Sequence, residues 1–294
     1  MKYNKIAIIS SLTLAISLPA CDGGEKNDEF ENKDTTEQIL TEPEPQVFYQ
    51  IPTPNEFFTV IKEIGGAGKQ ELMNPLANKE KYLDNKSKAL NFGVYSADLA
   101  YASCNDMGPI SFNYFKVVDD MSRELDINAA FDESVFKRIE DNINNGDSLL
   151  NISNDKYFEA YSYLEENERG NILSLVVAGG WVESMHIVMS LAGKFADSNP
   201  IIERIADQKY TLENIIDFMS KYQDDSDVNS VKTDLAKLLD IFNKAEVSVT
   251  ESTSGEKDGQ LSLSGGTEIK FNKEIYNELL QAVKNIRTKI INAE

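Results

Sequence analysis

The stretch Gly179-Gly180-Trp181-Val182-Glu183-Ser184-Met185-His186 holds the chain's one tryptophan and its one histidine beside a carboxylate. Glu183 and His186 stand three apart, so on a helix they share a face. Glu-x-x-His is the spacing of carboxylate-bridged di-iron bundles, but those need a second copy of the motif. A chain with one histidine cannot supply it. A His-x-x-x-His zinc site fails for the same reason. Ser184 and His186 point apart on a helix, and there is no Gly-x-Ser-x-Gly turn, so no serine–histidine relay is evident. Two readings stay open. In the first, Gly179 and Gly180 admit a neighbouring helix, Trp181 packs, and Glu183 and His186 form hydrogen bonds inside a bundle. In the second, Asp98, Glu183 and His186 converge in one pocket. Asp98 is flanked at i−3 and i+3 by Tyr95 and Tyr101, whose hydroxyls could donate to it. The candidate pocket is therefore Asp98, Glu183, His186, Tyr95, Tyr101 and Trp181, with no metal ligand set and no catalytic residue assigned.

Two other stretches resemble ligand loops and fall short. Gly65-Gly66-Ala67-Gly68-Lys69-Gln70 lacks the first glycine of a phosphate loop, where Glu63 stands, and the Ser or Thr after the lysine. A helix-ending glycine turn fits it better. Asp225-Ser226-Asp227-Val228-Asn229 begins like a calcium loop, but Ser230 replaces the turn glycine and Ala236 the bidentate glutamate. A helix–helix loop with an acidic cap is the simpler reading, with a weak surface cation site as its alternative.

The elements that would position these residues are helical. Thr53-Pro54-Asn55-Glu56 is a capping box before Phe57, Ile61 and Ile64. Asn74-Pro75 starts another helix, and Ser87 opens a longer one carrying Leu90, Val94, Ala97, Tyr101 and Cys104. Ile110, Tyr114, Val117, Met121 and Leu125 repeat the pattern. Phe131-Asp132 caps a helix with Val135, Phe136, Ile139 and Ile143, which Gly146 ends. Asp147 then caps a segment with Leu150, Tyr157, Tyr161 and Leu164. Asn171 to Phe195 is apolar nearly all round, as in a central bundle helix or a membrane span, and the burial cost of Glu183 and His186 in lipid favours the bundle. Asn199-Pro200 begins a further helix, Val231, Leu235, Leu238 and Phe242 mark another, and Phe271-Asn272 opens the last, with Ile275, Leu279, Val283, Ile286 and Ile290. Between these two, Val247 and Val249, then Leu261 and Leu263, alternate with polar residues around Asp258-Gly259. The expected fold is all-α, an array of about nine or ten helices with one β-hairpin at about 246–265, forming a single domain over 51–294.

The start of the chain differs in kind. Lys2 and Lys5 precede an apolar run from Ile6 to Leu18, the layout of a cleavable secretory signal over residues 1–20. Leu18-Pro19-Ala20-Cys21 resembles the lipobox of bacterial lipoproteins. That resemblance implies cleavage before Cys21, a diacylglycerol on its thiol and an acyl chain on its amine. Residues 21–50 hold nine acids and two lysines and read as an acidic, self-repelling tether. Loss of residues 1–20 removes two lysines and no acid, taking the net charge from −20 to −22. Such a chain repels phosphate, which argues against nucleic acid as a partner. With Cys21 lipidated, Cys104 has no partner for an intramolecular disulfide and reads as a small buried residue.

The lipobox, the stretch from Ala89 to Tyr101 and the stretch Ala178-Gly179-Gly180-Trp181-Val182-Glu183 resemble a family of uncharacterised envelope lipoproteins of Bacteroidetes. The resemblance implies a cell-envelope address and a helical fold, and carries no activity, substrate or cofactor. Acids behind Cys21 resemble a surface-export signal, so either face of the outer membrane is expected. The functional expectation is a lipid-anchored, non-catalytic binding or scaffold module, held to the membrane by its lipid, with an unknown protein or small-molecule partner and no further cofactor. The alternative is a hydrolase built on paired carboxylates, for which two acids about 5–10 Å apart in a cleft would suffice.

Overall fold

A computed structural model describes residues 57–58, 62, 68–127, 133–257 and 260–294, and gives no side-chain environment for 133 and 250–267. The chain divides into units Met1–Gln46 and Val47–Glu294, and the described residues all belong to the second. Among them the architecture is helical, as expected, with one small antiparallel sheet. The helices are α1 (Asn85–Cys104), α2 (Gly108–Glu124), α3 (Glu133–Asp141), α4 (Gly146–Glu166), α5 (Gly170–Ala192), α6 (Pro200–Ser220), α7 (Ser226–Phe242) and α8 (Lys273–Asn292). Phe57, Phe58 and Lys62 are also helical, but the capping box at 53–56 lies outside the described residues.

Capping explains where most helices start, and it corrects two expectations. Asp84, not Ser87, caps α1, accepting the Ser87 backbone N–H at 2.9 Å and its hydroxyl at 2.8 Å. Asn145, not Asp147, caps α4 by accepting from the Ser148 N–H. Gly146 therefore opens a helix rather than ending one. Asn199 and Asn272 cap α6 and α8 as their positions suggest. After Asn74-Pro75 the chain makes a 3₁₀ segment, Leu76–Lys81, instead of an α-helix. The Phe131-Asp132 cap lies outside the described residues.

The core is organised around α1 and α5. A Cβ on Gly93 would run into the Val176 carbonyl, and one on Gly179 into the Leu90 carbonyl. Glycine thus lets the two backbones touch, and the pairing 90 with 179 and 93 with 176 sets the helices antiparallel. α2 and α4 pack on α1, α6 and α8 on α5, and α7 lies against α6 and α8. α5 is long and apolar enough to cross a bilayer, yet it is buried inside the bundle on all sides. The stripes read for α7 and α8 are buried throughout. On α4 the buried residues include Leu149, Ile152, Lys156, Ala160 and Leu164, so the expected stripe is shifted in phase. Cys104 is buried at the end of α1.

The hairpin is β1 (Glu246–Lys257) paired with β2 (Gln260–Lys270), with an irregularity between Thr250 and Thr253. It extends five residues beyond the expected 265, and its Asp258-Gly259 turn lies outside the described residues. In β1 the expected alternation does not mark a core-facing side, and Leu261 and Leu263 lie among the residues without a described side-chain environment. Val247 and Val249 are 51% and 77% exposed, while Ile269 is buried at the base.

The α1–α5 contact yields a prediction. Gly93→Ala must push two backbones apart, at a cost of about 1–3 kcal/mol. Urea denaturation of the variant reads this as a lower midpoint with an unchanged slope.

Candidate functional site

Of the six candidate residues, Asp98 and Glu183 lie side by side, and His186 joins them only through Arg287 and the Leu72 backbone. Asp98 on α1 and Glu183 on α5 are both 0% exposed. A charge so placed needs a counter-charge, and it comes from α8. Arg287 Nε donates to Glu183 Oε2 and Nη2 to Oε1, each at 2.7 Å, a bidentate pair. Arg287 Nη2 also donates to the Leu72 carbonyl at 3.1 Å, and its side chain is 12% exposed. His186, one turn from Glu183, hydrogen-bonds to the Leu72 backbone, and its Nδ1 is buried without a partner.

The two carboxyls are close enough for each to act on the other's proton. Asp98 Oδ2 accepts the Asn74 backbone N–H at 3.0 Å, and no N–H or other hydroxyl reaches Oδ1. Two carboxylates can share such a contact only if one carries a proton. Arg287 holds Glu183 as the anion, so the proton belongs to Asp98. Burial and then the Glu183 charge push the Asp98 carboxyl well above the usual range. Burial raises Glu183 as well, and the charge and hydrogen bonds of Arg287 oppose it. His186 is pushed down to about 3, chiefly by burial and then by the Arg287 and Lys284 charges, so its ring is neutral at pH 7. The cluster is thus one anion, one cation and two neutral groups.

The tyrosines do something other than expected. Neither donates to Asp98. Tyr95 Oη donates to the Pro75 carbonyl at 2.9 Å, and Tyr101 Oη accepts the Lys69 N–H at 2.8 Å. Tyr114 Oη donates to the Asn74 carbonyl, and Asn74 Nδ2 donates to Tyr82 Oη, which donates to the Ile291 carbonyl. Together they pin the chain at Lys69, Asn74, Pro75 and Tyr82 over the cluster. Trp181 points elsewhere, its Nε1 donating to Gln208 Oε1 on α6. The glycine turn expected at 65–67 lies outside the described residues, and from Gly68 the chain runs into this pinned segment. Asp225 is the α7 cap, accepting from the Asp227 and Val228 N–H groups and from Asn171 Nδ2.

Sequence reasoning missed Arg287. Its signal was available, because it stands four residues after Val283, beside the apolar stripe of an amphipathic helix. Among the described residues no group of three or more His, Cys, Asp or Glu is placed to hold a metal ion. As it stands, the arrangement is suited to positioning helices. Both carboxylates are fully buried.

Arg287→Met leaves Glu183 buried and unpaired, at a cost of about 3–5 kcal/mol, and adding Glu183→Leu restores most of it. Denaturation midpoints of the single and double variants check this. Asp98→Asn keeps the shape of the neutral carboxyl, with an oxygen for Asn74 and an N–H for Glu183. A raised folded-state pKa makes the Asp98 contribution complete below about pH 4, and it falls as pH rises toward the folded value, by up to about 1.4 kcal/mol per pH unit. Stability curves from pH 4 to 8 should therefore decline less steeply in Asp98→Asn than in the parent protein.

Comparison with known protein families, with curated proteins and with solved structures finds no match for this chain.

Proposed function

We propose that this protein is a lipid-anchored envelope lipoprotein whose helical body is a non-catalytic binding or scaffold module. The observation that carries the non-catalytic half is the closure of the Asp98–Glu183–Arg287 cluster. The residues whose spacing most suggested chemistry are consumed in holding α1, α5 and α8 together, with both carboxylates at 0% exposure. A carboxylate hydrolase would need water and substrate at such a pair, and the burial of both acids counts against that reading.

The anchor half rests on Leu18-Pro19-Ala20-Cys21 and the acidic residues behind it. Two or three acyl chains, at about 0.8 kcal/mol per buried methylene, hold a protein on a bilayer where one chain is marginal. The tether lets the body work away from an anionic surface that its charge of −22 would otherwise keep at a distance. On this reading the partner is a protein or small molecule of the envelope, on either face of the outer membrane, and the lipid on Cys21 is the covalent modification.

Cys21→Ser should move the protein from the membrane pellet to the soluble fraction. Continued sedimentation with the outer membrane sinks the anchor reading. Crosslinking of the tagged chain in intact cells should recover a defined partner.

A further inference from the structure

A groove of about 400 Å³ opens where the start of α1, the first half of α7 and the end of α8 meet. Its floor is Leu90, Val231, Ile286 and Ile290, drawn from all three helices. The charged groups at its rim are mostly committed. Asp84 takes the Ser87 N–H and hydroxyl in capping α1. Asp234 takes Lys237 and Lys289. Lys86 is different. It lines the groove half-buried, on the first turn of α1; its backbone N–H goes to Asp84, and its ammonium has no carboxylate or other polar partner among the described residues. In a chain with 49 acids and 29 bases, a lysine beside apolar surface without a carboxylate is a position left for an outside anion.

The geometry points to this groove as a binding site for a small amphiphilic monocarboxylate, its acyl or aryl body on the aliphatic floor and its carboxylate on Lys86. Size selects a free small molecule over a protein segment, since sites of about 300–1,000 Å³ suit single small ligands, here with a body of roughly eight to twelve carbons. Charge selects one carboxylate. Asp84 and the exposed Glu294 line the same groove, so a dicarboxylate or a phosphate dianion would bring a second negative charge to a site with one uncommitted cation. The inference deepens the binding-module reading and does not depend on the anchor.

The test uses the full chain in phosphatidylcholine nanodiscs with 1-¹³C-decanoate as probe and empty nanodiscs as blank. Decanoate should show a protein-dependent carboxyl shift that saturates. Lys86→Met, which keeps the aliphatic stem, should weaken binding about tenfold, and decanol and decylamine should bind the parent about tenfold more weakly than decanoate. Ser230→Trp projects a large ring into the groove from an exposed rim position and should abolish binding while the helical circular dichroism is unchanged. Three results overturn the site: no shift beyond the blank, binding indifferent to both substitutions, or decanol or decylamine bound as tightly as decanoate. A change of oligomeric state in Ser230→Trp overturns it too, by making the groove a contact between copies. Loss of the site with a partner still recovered by crosslinking removes this inference alone, and a Cys21→Ser protein that stays on the membrane removes the anchor alone.

Discussion

Placing Glu183 in the middle of an apolar helix at the centre of the bundle creates a demand that the rest of the fold meets. A buried carboxylate is tolerable only beside a cation with matching hydrogen bonds. Arg287 supplies both of its fork positions to Glu183 and spends another N–H on the Leu72 carbonyl. One guanidinium thereby fixes the rotation of α8, its depth against α5, and the path of the segment that crosses over them. Asp98 then has to be neutral, because a second anion would outnumber the one arginine.

Close approach of α1 to α5 makes that cluster possible. Gly93 and Gly179 remove the side chains that would hold the backbones apart. With the helices in contact, Asp98 on one and Glu183 on the other fall within hydrogen-bonding reach. The tyrosine hydroxyls complete the enclosure by binding backbone groups of residues 69–75, which satisfies polar groups that would otherwise be buried without partners.

Much of this was legible locally, and what was not is non-local in origin. The stripes of α7 and α8 and the caps at Asn199 and Asn272 could be read because each depends on residues within one or two turns. The phase of α4 could not, since Leu149 and Leu150 begin two stripes of similar quality and the buried one includes Lys156. Asp84 was passed over as a cap because Ser87, three residues on, satisfies the same rule and in fact bonds to it. For the cluster, the pairing of Asp98 with Glu183 was an available guess from rarity and spacing. Which helix faces α5 is not written in any one helix, so Arg287 was recognisable as unusual but not as the partner. Tyr95 and Tyr101 misled because a helical i±3 rule describes Cβ positions, whereas a tyrosine hydroxyl reaches beyond its own helix.

The bonds that close the bundle join residues far apart in the chain. Arg287 reaches Glu183 across 104 residues and Leu72 across 215, Tyr82 reaches Ile291 across 209, and Asn91 reaches Ile290 across 199. Contacts of such separation carry a loop-closure entropy that their energy must offset. The cation that Glu183 needs resides on α8, far along the chain from α5. Stability of the central helix is therefore tied to a distant segment, and the body holds together as one unit rather than as separable halves.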